Sequence, residues 1–128
     1  NGLMVEVREV MSPDVATVAS DASVSDAAKV MVKGGFGSVI IVHGKMLVGI
    51  LTERDVLRAA ANETDLSAAS VEDWMTPDPE TAEPDLETED AAGMMLSRGF
   101  RHLPVTQDGD LVGIVSLRDV LSARIGRR

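Results

Sequence analysis

The sequence contains no cysteine and no tyrosine, and only two histidines among its 128 residues. Without cysteine there are no disulfides, no thiolate metal sites and no cysteine nucleophile. His43 and His102 alone do not make a multi-histidine metal centre. Aromatics are 2% of residues, Phe36, Phe100 and Trp74, so the core has to be aliphatic. Basic residues are outnumbered, 12 Lys+Arg against 21 Asp+Glu, giving a net charge of −9. That field argues against a nucleic-acid binder, whose affinity for the phosphate backbone needs clustered Lys and Arg. From Ala59 to Ser97 there is no Lys or Arg but 11 acids. This stretch reads as a solvated linker and helix start, or as a partner-facing acidic surface. The longest run without Asp, Glu, Lys or Arg is Gly34–Gly44, well short of the ~18–20 apolar residues of a membrane helix. No basic segment followed by an apolar one opens the chain, so neither a signal peptide nor a membrane span is expected. These features together predict a cytoplasmic domain.

The residues present are 45% apolar, enough for a folded core. They are also arranged twice. A shift of 64 residues lays Met11-Ser12-Pro13-Asp14 on Met75-Thr76-Pro77-Asp78, Leu47-Val48-Gly49-Ile50 on Leu111-Val112-Gly113-Ile114, and Arg54-Asp55-Val56-Leu57 on Arg118-Asp119-Val120-Leu121. From Val7/Val71 to Ala59/Ala123, 21 of 53 positions are identical without a gap. The reading is a first repeat over 7–61, a linker over 62–70 and a second repeat over 71–125.

Each repeat reads β-α-β-β-α. Val15–Val18 is a short extended piece. Ser23-Val24-Ser25-Asp26 has the form of a capping box, opening a helix that stops at Gly34-Gly35. Val39–Val42 is a β-branched run, hence a buried strand. A turn follows at His43-Gly44-Lys45, or at Asp108-Gly109 in the second copy, where it is a hairpin signal. Met46–Leu51 returns as a strand, and Thr52-Glu53-Arg54-Asp55 starts a helix reaching about Ala61. In the linker, Ser67–Ser70 has the composition of a single helical turn. The fold class is α/β (α+β), one compact module of two related repeats.

The chemistry-bearing pattern is Gly49-Ile50-Leu51-Thr52-Glu53-Arg54-Asp55, repeated as Gly113-Ile114-Val115-Ser116-Leu117-Arg118-Asp119. A buried strand runs into a helix whose start bears a hydroxyl. Unpaired N–H groups and the dipole at such a start suit an anion. Asp55 and Asp119, in the first turn, would accept hydrogen bonds from a vicinal diol, worth about 1.5–3 kcal/mol each. Two such bonds are a large share of the ~8 kcal/mol of a micromolar affinity. Gly49 and Gly113 lie inside strands, where glycine marks close approach of backbone or ligand. The same Ser/Thr-x-x-Asp spacing is also an ordinary helix cap, and the residues alone leave both readings open. No nucleophile, metal set or oxyanion feature accompanies the carboxylates, so the chain does not read as an enzyme.

Two such repeats with Met-x-Pro openings, Gly99-Phe100-Arg101-His102-Leu103-Pro104-Val105 and Gly-Ile-Val-Ser-Leu-Arg-Asp resemble a tandem pair of cystathionine-β-synthase (CBS) domains, a Bateman module, over roughly Val7–Ile125. The resemblance implies two sheets around a pseudo-twofold axis, a homodimer, and clefts between repeats that bind an adenosine-containing ligand: AMP, ADP, ATP or S-adenosylmethionine, with no cofactor required. Position by position it implies that Asp55 and Asp119 hold ribose hydroxyls. Thr52 and Ser116 would touch the phosphate or ribose, and Arg54 and Arg118 would flank the phosphate path. Thr17 and Ser38 would serve the pocket of Asp119. Thr81, Arg101 and His102 would serve that of Asp55. Val39, Ile50, Leu103 and Ile114 would wall the adenine.

The repeats depart from each other where Arg101-His102-Leu103-Pro104-Val105 replaces Gly37-Ser38-Val39-Ile40-Ile41, so the two sites should differ. Glu83-Pro84-Asp85 adds negative charge that disfavours a nearby polyphosphate, which favours a monophosphate or another lightly charged adenosyl ligand over ATP. Trp74 stands where the first copy has Val10, and reads as a core cap or interface residue. Arg124, Arg127 and Arg128 read as a frayed basic tail. The resulting expectation is a regulatory sensor whose ligand changes dimer geometry or helix packing and so signals to a protein partner. A ligand-independent dimerisation or assembly module, its Ser/Thr-x-x-Asp motifs serving only as caps, is the alternative.

Overall fold

A computed structural model describes residues 4–126, with Arg124 described by its backbone alone. Of the expected frayed basic tail, Arg127 and Arg128 lie outside the described residues, while the Arg124 backbone is helical, within the Leu117–Gly126 helix. Element order is a 3-10 turn at Val7–Glu9, β1 (Thr17–Ala19), α1 (Val24–Gly34), β2 (Ser38–His43), β3 (Met46–Thr52), α2 (Glu53–Ala61), α3 (Val71–Trp74), β4 (Thr76–Pro77), α4 (Thr88–Arg98), β5 (His102–Gln107), β6 (Asp110–Ser116) and α5 (Leu117–Gly126). The mixed α+β class follows directly.

The chain divides into two compact units, Ala16–Pro79 and residues 1–15 with 80–128. Each unit therefore contains the body of one repeat and the Met-x-Pro opening of the other. In the first unit the sheet order is β1-β2-β3-β4. β1 lies parallel to β2, with Thr17 opposite Ile40, and β4 lies antiparallel to β3, with Thr76 opposite Ile50. In the second unit β5 and β6 form the hairpin, flanked by single bridges from Ala82 to Val105 and from Ser12 to Ile114. These bridges fall 64 residues from the β1–β2 and β3–β4 pairings, so the architecture repeats even where a strand shrinks to one residue. In the second copy Pro104 has no N–H to donate, and β1 has only the Ala82 bridge as its counterpart.

Local signals account for the helices. Ser23 accepts a hydrogen bond from the Asp26 amide at 3.0 Å, and Asp26 answers the Ser23 amide, closing the expected capping box. α1 and α4 both end at glycines in the left-handed conformation, Gly35 (φ 70°) and Gly99 (φ 78°), where a side chain would be strained. Asp108 and Gly109 both adopt positive φ, as a two-residue hairpin of the primed type requires. The 62–70 segment is less extended than its polar composition suggests. Its helical turn starts earlier than expected, at Asp65, whose carbonyl accepts from the amides of Ala68 and Ala69. Leu66 and Ala69 carbonyls then accept from the Ser25 and Val24 amides, so the segment is tied to the start of α1.

Each unit has its own aliphatic core. One contains Met31, Val39, Ile41 and Leu51, the other Met95, Leu103, Val105 and Val115, all buried. Burial of each such side chain contributes about 1.5–3 kcal/mol. Trp74 packs half-buried against the first core. Among the described residues, no helix is long and apolar enough to cross a membrane, and no cluster of three or more His, Asp or Glu is placed to hold a metal ion.

Candidate functional site

The two strand–helix turns are capping boxes in which Thr52 or Ser116 is the cap and the aspartate of the motif answers its amide. At the first, the Thr52 hydroxyl accepts from the Asp55 amide at 3.3 Å, and Asp55 Oδ2 accepts from the Thr52 amide at 2.8 Å and the Thr52 hydroxyl at 3.1 Å. At the second, the Ser116 hydroxyl accepts from the Asp119 amide at 3.0 Å, and Asp119 Oδ2 accepts from the Ser116 amide at 2.9 Å. The capping reading of the motif is thus present at both turns.

Beyond the caps the turns differ. Asp55 Oδ1 accepts from Arg58 Nη1 at 2.8 Å, and the Asp55 side chain is only 11% exposed. The Arg58 guanidinium in turn lies over the Trp74 ring, 5.6 Å from its centroid. The repeated motif itself does not include Arg58. The signal was available, because Arg58 and Trp74 are both places where the repeats disagree, with Ser122 and Val10 as their counterparts. Asp119 is half-buried, and its Oδ1 has no partner among the described residues.

The strand glycines support the turns through packing. A Cβ on Gly113 would stand 2.7 Å from Met11 Sδ and 2.9 Å from the Ser12 carbonyl oxygen. On Gly49 it would run into the Met75 side chain. The close neighbour is therefore the Met-x-Pro opening, at the same place in each unit.

The other candidate residues distribute as follows. Thr17, Ser38, Thr52, Arg54 and Asp55 belong to one unit; Thr81, Arg101, His102, Ser116, Arg118 and Asp119 belong to the other. Ser38 is buried and pairs across the sheet with Thr52, and His102, half-buried, pairs with Ser116. The Arg101 carbonyl accepts from the Leu117 amide at 2.9 Å, which brings it to the start of α5. Arg54, Arg118, Arg101, Thr17 and Thr81 are exposed. Of the expected apolar wall, Val39 and Leu103 have no exposed surface and belong to the two cores, and Ile50, in neither core, is 6% exposed. A side chain wholly enclosed by its own core has no face left for a ligand. Of the four, Ile114 is half-buried and retains accessible surface.

The CBS domain family matches this chain twice, over residues 7–62 and 71–126. The chain belongs to that family, as a tandem pair of CBS domains. It is 38% identical over 120 residues to an uncharacterised 17.7 kDa protein of Acidianus ambivalens, covering 92% of this chain and 72% of that one. It is 35% identical over 108 residues to the inosine-5'-monophosphate dehydrogenase of Korarchaeum cryptofilum, covering 84% of this chain but 22% of the enzyme. Among solved structures, the CBS domain pair of protein MJ0100 in complex with 5'-methylthioadenosine and S-adenosyl-L-methionine superposes with a TM-score of 0.89 at 28% identity, over 98% of this chain and 99% of that one. CBSX2 in complex with AMP superposes with a TM-score of 0.82 at 30% identity, over 96% and 98%.

Proposed function

We propose that the chain is a non-catalytic regulatory module that binds an adenosine-containing ligand at its strand–helix turns. The observation that carries this reading is the Asp119 turn. One carboxylate oxygen caps the helix, while the other is without a partner among the described residues and sits beside a hydroxyl at a helix start. A carboxylate with an open oxygen is what a ribose diol requires, and a helix start favours the phosphate attached to it. That MJ0100 and CBSX2, of the same fold, are found with adenosyl ligands supports it. In this reading Asp119 and Asp55 receive ribose hydroxyls, Ser116 and Thr52 the ribose or phosphate, and Arg118, Arg54, Arg101 and His102 the anionic end. Thr17, Thr81 and Ser38 complete the polar lining, and Ile114 meets the base. The acids at Glu83 and Asp85 favour AMP or S-adenosylmethionine over ATP.

The partner of the folded module is a second copy. Val32 and Leu57 on α1 and α2 are 84% and 69% exposed, and the matching Leu96 and Leu121 on α4 and α5 are 70% and 51% exposed. Apolar residues left outside at the same repeat positions on both helix pairs suit a homodimer, through which ligand binding would reach a regulated protein. The same observation favours the second reading, an assembly module that needs no ligand.

Calorimetric titration with AMP, ADP, ATP, S-adenosylmethionine and NADH separates the two. Binding of AMP or S-adenosylmethionine is expected. Asp119→Asn, folded by circular dichroism, should weaken it by about 1.5–3 kcal/mol. No binding of any ligand at millimolar concentration, with a tight dimer in solution, would establish the assembly reading.

A further inference from the structure

The two turns do not offer the same carboxylate. At Asp55 three donors from the protein already occupy the side chain: the Thr52 amide and hydroxyl on Oδ2, and Arg58 Nη1 on Oδ1. Arg58 is held in that pose by its seat over Trp74, which is packed against the core of its unit. A diol arriving at Asp55 has to displace the guanidinium and break its contact with the indole face. Among the described residues, nothing equivalent is found at Asp119. The repeat partners of Arg58 and Trp74 are Ser122 and Val10, neither of which supplies a cation or a ring. We infer that Arg58 and Trp74 are selectivity residues: they latch the Asp55 carboxylate, so the module fills the Asp119 turn first and the Asp55 turn only at higher ligand concentration.

The inference rests on the reading that a diol binds at these turns, and it adds an order of occupancy. Arg58 is half exposed, so solvent screens its pair with Asp55 and the latch is releasable. A screened ion pair together with one cation–π contact sets the handicap at about tenfold in affinity. Release carries a second consequence. The freed guanidinium would stand at the bound diol's side, so an anionic ligand would open the latch more readily than a neutral one.

The test is calorimetry of the full chain with AMP and with 5'-methylthioadenosine, which carries no phosphate. The unmodified protein should show one strong site per chain and a second about tenfold weaker, with a wider gap for 5'-methylthioadenosine. Arg58→Ser should strengthen the weak site until the two merge, leaving the strong one unchanged. Trp74→Val should act in the same direction by a smaller factor, and if it fails to fold, Arg58→Ser decides alone. Asp119→Asn should weaken the strong site at least tenfold, and Asp55→Asn the weak one. Two equal sites in the unmodified protein, or no change on Arg58→Ser, would overturn the latch while leaving ligand binding intact. No binding of either compound to any of the proteins would remove the diol reading, and the latch with it.

Discussion

At the Asp55 turn, Arg58, seated over Trp74, pairs with a carboxylate whose oxygens are both engaged; at the Asp119 turn, the corresponding positions hold Ser122 and Val10, and one oxygen is open among the described residues. The backbones leading into the two turns share their register, including an irregularity at Ile41/Val42 and again at Val105/Thr106. What duplication preserved is the scaffold: strand, buried glycine, capping hydroxyl and aspartate. What changed is the side chain that reaches the carboxylate from one turn further along the helix, and the ring near the neighbouring opening on which that side chain rests. Two substitutions thus alter the chemistry of a site without altering the fold that presents it.

The sharpest difference outside the carboxylates lies at the strand glycines. Gly113 faces both a methionine and the Ser12 carbonyl, whereas the three atoms nearest to a Cβ on Gly49 all belong to the Met75 side chain. A methionine adapts by rotating three bonds, while a carbonyl fixed by its hydrogen bond with the Ile114 amide at 2.9 Å does not. Gly113→Ala should therefore cost about 1–3 kcal/mol in denaturant unfolding, and Gly49→Ala distinctly less. Equal losses would mean that Met75 is as rigid as the Ser12 backbone.

The caps are the next contrast. Removing either hydroxyl, in Thr52→Ala or Ser116→Ala, should cost about 0.5–2 kcal/mol. Thr52→Ala should be the larger loss. Its hydroxyl also lies 3.1 Å from Asp55 Oδ2 and helps hold that carboxylate against Arg58. A greater loss for Ser116→Ala by thermal denaturation would show that the second turn depends more on its cap, and would weaken the picture of a braced Asp55 beside a more open Asp119.

Much of this was legible in the chain because it is local. The capping box at Ser23, the glycine stops at Gly35 and Gly99, the Asp108-Gly109 hairpin and the Ser/Thr-x-x-Asp helix starts each depend on residues within four of one another. What was not legible is tertiary. The pairing of Ser12 with Ile114 joins residues about a hundred positions apart, and nothing in the Met-x-Pro spacing says which sheet it will join. The same holds for Trp74, whose meeting with Arg58 depends on how α3 lies against its unit. Val39 and Leu103 show the opposite limit: their aliphatic character is compatible with a ligand wall or a core, and burial decides for the core.

The smallest effect tests whether the connecting turn belongs to one unit as firmly as the caps do. The Asp65 carboxylate accepts from the Ser67 hydroxyl at 2.7 Å and its amide at 3.1 Å, and these bonds, the hydroxyl's first, hold its pKa below the ordinary value. A carboxyl whose folded pKa is depressed contributes stability that is present above its unfolded pKa and is lost as pH falls through the folded one. The contribution should thus fade below about pH 4. Because Asp65 is fully exposed, solvent screens the effect and it should be slight. The turn it closes is bonded to the Val24 and Ser25 amides at the start of α1, whereas in the other unit the Thr88 amide at the start of α4 donates to the Val5 carbonyl. Ser67→Ala should accordingly flatten the acid limb of a melting-temperature profile between pH 3 and pH 5 by a small amount. An unchanged acid limb would show that the turn is held by its backbone bonds alone, and that the two helix starts, for all their different neighbours, are equally insensitive to pH.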